Sequence, residues 1–200
     1  MSRQYFHQLL GDSLIAPVTA VSPATTPTFL LSNGSTGLTG QSAKFLPLPY
    51  GQNAPSPGQI FHVRVGGLFT SVAGTFIFNV YHGSGSSATA GGTALGASQT
   101  ITGTAYTAGF FCLEGDLIYR SISELATAST CWFSGMITTG GPAANTIACQ
   151  TYLVGSGAAV TVDTTGAGTA GTYGAMNIFV TPGTTGSSFT PEFAYIYSLN

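Results

Sequence analysis

Thr75-Phe76-Ile77-Phe78-Asn79-Val80-Tyr81-His82 is the stretch that decides the fold class. Phe76, Phe78 and Val80 recur at every second position, with Ile77, Asn79 and Tyr81 between them. A period of two puts successive side chains on opposite faces of an extended strand. One face here is wholly apolar and the other is largely so. Residues 59–65 repeat the pattern, with Phe61, Val63 and Val65 opposite Ile60, His62 and Arg64. Residues 192–199 do the same, with Phe193, Tyr195 and Tyr197 opposite Ala194, Ile196 and Ser198.

Outward from these three, short β-rich runs alternate with glycine-rich turns along most of the chain. The pattern predicts strands over 59–65, 75–82, 108–113, 116–122, 130–138, 146–154, 158–162, 176–181 and 192–199. Weaker ones fall at 28–31, 43–48 and 99–102. Between 113 and 116 the reading is a tight hairpin, with Gly115 supplying the turn. Beyond residue 10 no long helical period occurs. So many short strands fit an all-β fold, with a two-sheet β-sandwich of jelly-roll type the best single choice over other sandwiches and barrels. In a two-layer sandwich only one face of each strand is core. Strands that are apolar on both faces therefore imply a subunit contact.

The first 28 residues read differently. Tyr5, Phe6, Leu9 and Leu10 make one apolar face of a short helical turn, with Gly11 as its stop. Pro17, Pro23 and Pro27 then suggest an extended connector. Residues 1–28 are expected to be an assembly arm carried on those four side chains, and residues 29–200 a single domain. The competing reading makes the N-terminus a strand of the same domain.

Composition bounds the function. Charged residues make up 5% of the chain, against about 25% in ordinary soluble domains. The surface must be built from hydroxyls, amides and the backbone of 28 glycines, which protects weakly against association. Lys44, Arg3, Arg64 and Arg120 are the cations, and none adjoins another. Neutralising nucleic-acid phosphates takes clustered Lys and Arg, so no nucleic-acid partner is expected. No apolar run approaches the length of a membrane-spanning helix, and no membrane partner is expected. Polar Gln4, His7, Gln8 and Asp12 interrupt the N-terminus, which does not read as a secretory signal.

Chemistry-bearing motifs fail on context. Glu114 and Asp116 flank Gly115 and read as turn residues, whereas a glycosidase holds two carboxylates across a cleft. His7, His62 and His82 form no metal-binding pair, although His62 and His82 sit on strands that could neighbour each other. Gly83-Ser84-Gly85-Ser86-Ser87-Ala88 matches a dinucleotide pattern after a strand, but no helix follows to meet the pyrophosphate. Asn33-Gly34-Ser35 is a sequon and equally a turn signal. Cys112, Cys131 and Cys149 are widely spaced in apolar runs and read as small buried residues. Trp132 lies in an apolar run and reads as core or subunit contact before sugar platform. Neither catalytic residues nor a cofactor or metal is expected.

Residues 58–137 resemble tailed-bacteriophage virion proteins with jelly-roll or β-sandwich domains. The resemblance rests on the runs at 58–69 (GQIFHVRVGGLF), 75–83 (TFIFNVYHG) and 110–121 (FFCLEGDLIYRS), continued by 145–152 (NTIACQTY). It implies a capsid decoration, cement or fibre role, commonly as a homotrimer, and carries over no catalytic residue. The expected function is a virion structural protein, assembled in the host cytoplasm, that decorates the outside of a phage head. Its partners are then its own copies and the major capsid protein or other virion proteins. The alternative is a fibre or spike module binding host-surface glycan through its Gly/Ser/Thr loops. A depolymerase is a distant third.

Overall fold

In the computed structural model the described residues are 8–12, 28–30, 46–48, 55–83, 93–103, 105–123, 129–143, 146–164 and 175–199. They hold strands and turns and no helix. The strands are β1 (Gln8–Asp12), β2 (Thr28–Phe29), β3 (Leu46–Pro47), β4 (Ile60–Ser71), β5 (Gly74–His82), β6 (Thr93–Ser98) and β7 (Ile101–Gly103). They continue with β8 (Tyr106–Ser121), β9 (Ser129–Ala143), β10 (Thr146–Gly155), β11 (Val160–Val162), β12 (Ala175–Pro182) and β13 (Ser188–Ser198).

All thirteen join one antiparallel sheet in the order β1-β13-β4-β8-β9-β10-β6-β5-β12-β2, with β3 on β12, β7 on β5 and β11 on β9. The path folds back on itself. Phe76 and Phe78 of β5 meet Phe69 of β4, Phe111 of β8 and Phe189 of β13, strands far from β5 in the sheet order. Phe189 lies at the centre of this cluster. Its ring stacks on Phe69 at 5.6 Å and 9° and meets Phe76, Phe78 and Phe111 at 5.9, 5.9 and 6.0 Å. Each such aromatic pair adds about 0.5–1.5 kcal/mol beyond the area it buries. Deeper in, the buried Tyr119 hydroxyl of β8 lies 2.8 Å from His82 Nε2 of β5, a polar clasp between the two parts of the sheet.

The alternation read from sequence sets the core. Phe61, Val63 and Val65 of β4 and Phe76, Phe78 and Val80 of β5 are buried. In β13 Phe189 and Pro191 are buried before the register shift, and the small or aliphatic Ala194, Ile196 and Ser198 after it. Phe193, Tyr195 and Tyr197 take the outer side.

Several expectations are corrected. Residues 112–117 are no hairpin: β8 runs unbroken through Gly115, which pairs with Val63 on β4 and Gly135 on β9. The glycine is required by close approach. A Cβ there would stand 2.6 Å from the Phe133 ring and 2.8 Å from Gly135 Cα. The Phe133 ring fills the space that a side chain at 115 would take. The helical turn expected over residues 1–10 gives way at residues 8–12 to strand β1, whose hydrogen bonds to β13 satisfy a backbone that so short a helix leaves exposed. His62 and His82 are not neighbours, because β4 and β5 do not pair. One faces outward and the other faces the core.

β13 begins before the predicted 192–199 and contains Pro191. Proline cannot donate to a ladder and is tolerated where the register slips. The register with β4 shifts between Pro191 and Phe193, which leaves Glu192 exposed.

Candidate functional site

The outer face of β13, β4, β8, β9 and β10 collects the chemistry. Cross-strand registers place its residues in rows. Tyr197 pairs with His62, His62 with Asp116, and Asp116 with Ser134. The next row runs Tyr195, Arg64, Glu114, Met136, Leu153. Beyond it come Phe193, Gly66, Cys112, Thr138 and Thr151.

The middle of this face is an ionic cluster. His62 Nδ1 lies 2.7 Å from Asp116 Oδ1, and His62 Nε2 lies 3.4 Å from Glu114 Oε1. Arg64 Nε lies 3.5 Å from Glu114 Oε2, and its Nη1 donates to the Tyr195 hydroxyl at 3.3 Å. The Arg64 guanidinium is held above its already high range by hydrogen bonds to the Cys112 sulfur first and the Tyr195 hydroxyl second, so its charge is permanent. Glu114 and Asp116 bring two negative charges against that one. The cluster is therefore net negative unless His62 is protonated.

Beside the cluster stands an aromatic ladder on β13. Phe193 stacks on Tyr195 at 6.1 Å and Tyr195 on Tyr197 at 6.0 Å, both with rings inclined by 28°. Arg64 lies 5.7 Å over Phe193, and the His62 ring lies 5.1 Å from that of Tyr197. The ring faces are thus taken up by one another, by Arg64 and by the His62 ring. Partial burial, then the neighbouring Tyr195, Glu114 and Asp116, push the Tyr197 phenol upward, so it stays a neutral donor.

Around these groups the face is apolar and open. Leu68 is 48% exposed, Phe110 37%, Trp132 40%, Met136 49% and Leu153 73%. Trp132 is fixed by its indole N–H, which donates to the Ser156 carbonyl at 2.8 Å.

Of the residues singled out from sequence, Glu114 and Asp116 do come together, on a strand face beside His62 and not on a turn. Tyr5 and Phe6 lie outside the described residues, as do Asn33 and residues 84–88. Leu9 pairs with Tyr197 across the β1–β13 ladder, and Leu10 falls where that ladder shifts register. Cys131 alone of the three cysteines is buried. Cys112 is half-buried on the outer face and Cys149 is exposed, because both fall on outward positions of their strands. Among the described residues no group of three or more His, Cys, Asp and Glu is arranged to hold a metal ion.

The His62–Arg64–Glu114–Asp116 cluster was missed as a unit, since its two halves lie about fifty residues apart in sequence. A signal was present. His62 and Arg64 are two apart on one strand, Glu114 and Asp116 two apart on another, and opposite charges at matched spacing favour antiparallel pairing. Comparison with protein-family models, curated proteins and solved structures finds no match to this chain.

Proposed function

We propose that this chain is a non-enzymatic structural subunit that works by self-association, as a decoration or cement protein on the outside of a virus head. The observation that carries the reading is the open apolar face formed by Leu68, Phe110, Trp132, Met136 and Leu153. Exposed apolar side chains spread over one open sheet face, on a chain this poor in charge, mark an association site. Glu114 and Asp116 stand on that open face, paired to His62 and Arg64, and not across a cleft. That geometry supports a structural role over hydrolysis.

A jelly-roll arrangement fits the register. The β4/β13 pair, from Phe61↔Ser198 to Thr70↔Ser188, continues past the turn at 72–73 as the β5/β12 pair, from Phe76↔Pro182 to His82↔Met176. One antiparallel ribbon thus wraps from one layer to the next, as in a jelly roll. The scarcity of cations favours a position outside the nucleic-acid-filled space, with the major capsid protein as neighbour. The expected assembly is a homotrimer.

Glycan binding is the weaker reading, since sugars stack on free aromatic faces and those of the β13 ladder are occupied. The test is the native mass of the purified full chain, with its copy number in purified particles. A stable oligomer present in many copies per particle is expected. A chain that stays monomeric at micromolar concentration and is absent from particles would end the proposal.

A further inference from the structure

The two flanks of the outer face differ in chemistry, and that difference bears on how copies meet. One flank is the aromatic ladder Phe193, Tyr195 and Tyr197 on β13. The other is aliphatic, Met136 on β9 and Leu153 on β10, at 49% and 73% exposure. The ionic cluster lies between them.

We propose that this face is covered by further copies of the chain in a head-to-tail manner, the aromatic flank of one copy seated on Met136 and Leu153 of the next. The proposal rests on the self-association put forward above and names its surface and its direction. Repeated head-to-tail contact joins more than two copies, in a ring where the rotation closes and in a filament where it does not, and a ring is expected.

Three observations choose this occupant and this direction. First, the ladder presents ring edges and hydroxyls outward, because stacking, Arg64 and His62 occupy its faces. Edges suit aliphatic and thioether side chains of a protein neighbour, and methionine sulfur packs favourably at aromatic edges. Second, a two-fold axis through β8 would bring two copies of Glu114 and Asp116 together. The carboxylates of one copy would then face those of the other, a like-charge contact that interfaces select against. Third, a two-fold axis on β13 would stack aromatic on aromatic and leave Leu153 and Met136 in water. Head-to-tail packing covers both flanks and keeps each cluster beside groups other than its own copy.

The experiment uses the full chain with Cys112→Ser and Cys149→Ser, which removes the two thiols that are not buried. Tyr195→Cys and Leu153→Cys are added singly and together, and each protein is treated with a short bis-maleimide after a melting curve shows the fold intact. The double variant is expected to give a covalent ladder that ends at the copy number read from the native mass of the wild type. Each single variant is expected to stay unlinked. A ladder that stops at two, or linking by Tyr195→Cys alone, would establish a two-fold contact and overturn the proposal. An oligomeric wild type whose double variant does not link would overturn it too, while leaving self-association standing. A monomeric wild type would overturn both. As an independent reading, Leu153→Glu with Met136→Glu is expected to yield a folded monomer, and an unchanged oligomer would count against this surface.

Discussion

At the scale of single residues, Gly115 is the sharpest case. Read in sequence between two acids, it signals a turn. In the sheet it is the point where β8 and β9 come so close that a Cβ would meet backbone of Gly135 and Ser134 at 2.8 Å. Gly115→Ala is therefore expected to destabilise by about 1–3 kcal/mol, the range for overpacking a filled core. A urea titration of the variant against wild type checks it. Cys131 gives a second residue-level consequence. Burial pushes its thiol from an ordinary 9.0 up to about 12. Above pH 9 the unfolded chain releases this proton while the folded chain keeps it, so the unfolded state binds fewer protons and stability falls as pH rises. The contribution is fully present below pH 9 and is lost between pH 9 and 12. Buried Tyr119, raised in the same direction by desolvation and then by Cys131, adds to the fall at higher pH. Urea midpoints are expected to be flat in the neutral range and to drop above pH 9, and Cys131→Ala should make that drop shallower. An equal drop in the variant would mean that the thiol is not buried as described.

At the scale of elements, the joint between the two parts of the sheet is carried by few side chains. Phe189 of β13 touches Phe69, Phe76, Phe78 and Phe111, which come from β4, β5 and β8. Phe189→Ala is expected to cost about 3–5 kcal/mol, the range for emptying an aromatic site in a core. That is a large share of a stability of about 5–15 kcal/mol. Phe189→Leu should cost less, since it keeps most of the volume. Thermal melts of the two variants against wild type check the order. Phe189 itself was outside every predicted strand, because Pro191 stopped the reading at residue 192. The alternation of Phe76, Phe78 and Val80, and of Phe61, Val63 and Val65, was legible because a period of two depends only on neighbours in sequence. What stayed hidden was whatever depends on a partner strand. Gly115 inside β8 reads as a turn and is in fact a close contact with β9. Phe193, Tyr195 and Tyr197 could be grouped on one face, but nothing local said that this face is the outer one. That follows from the alternate Ala194, Ile196 and Ser198 being the buried ones. For the ionic cluster the matched spacing of His62/Arg64 and Glu114/Asp116 hinted at the pairing, but its geometry exists only once β4 pairs with β8.

At the scale of the whole molecule, the order of strands places the last one in a decisive position. β13 lies between β1 and β4, and its ladder with β4 joins Ser188 to Thr70 and Ser198 to Phe61. More than a hundred residues separate these partners, so β4 waits for its neighbour until nearly the whole chain is made. Non-local pairing of this kind slows folding, since loop closure must come before the contacts that reward it, and all-β chains of high contact order fold in milliseconds to seconds. Truncation before Ser188 removes β13, frees both β1 and the long edge of β4, and takes Phe189 out of the aromatic cluster. The truncated chain is expected to lose cooperative unfolding altogether, to be cut rapidly by protease across 60–121, and to aggregate through the bared β4 edge. Removal of Asn200 alone, one residue beyond Leu199, whose N–H still donates to the Ile60 carbonyl at 2.9 Å, should leave the melt unchanged. Stopped-flow refolding of the full chain, followed by Trp132 fluorescence, should show one slow phase that ends only as β13 docks. The Phe189→Ala chain should refold more slowly if that docking forms the folding nucleus, and unfold faster at an unchanged refolding rate if it comes after.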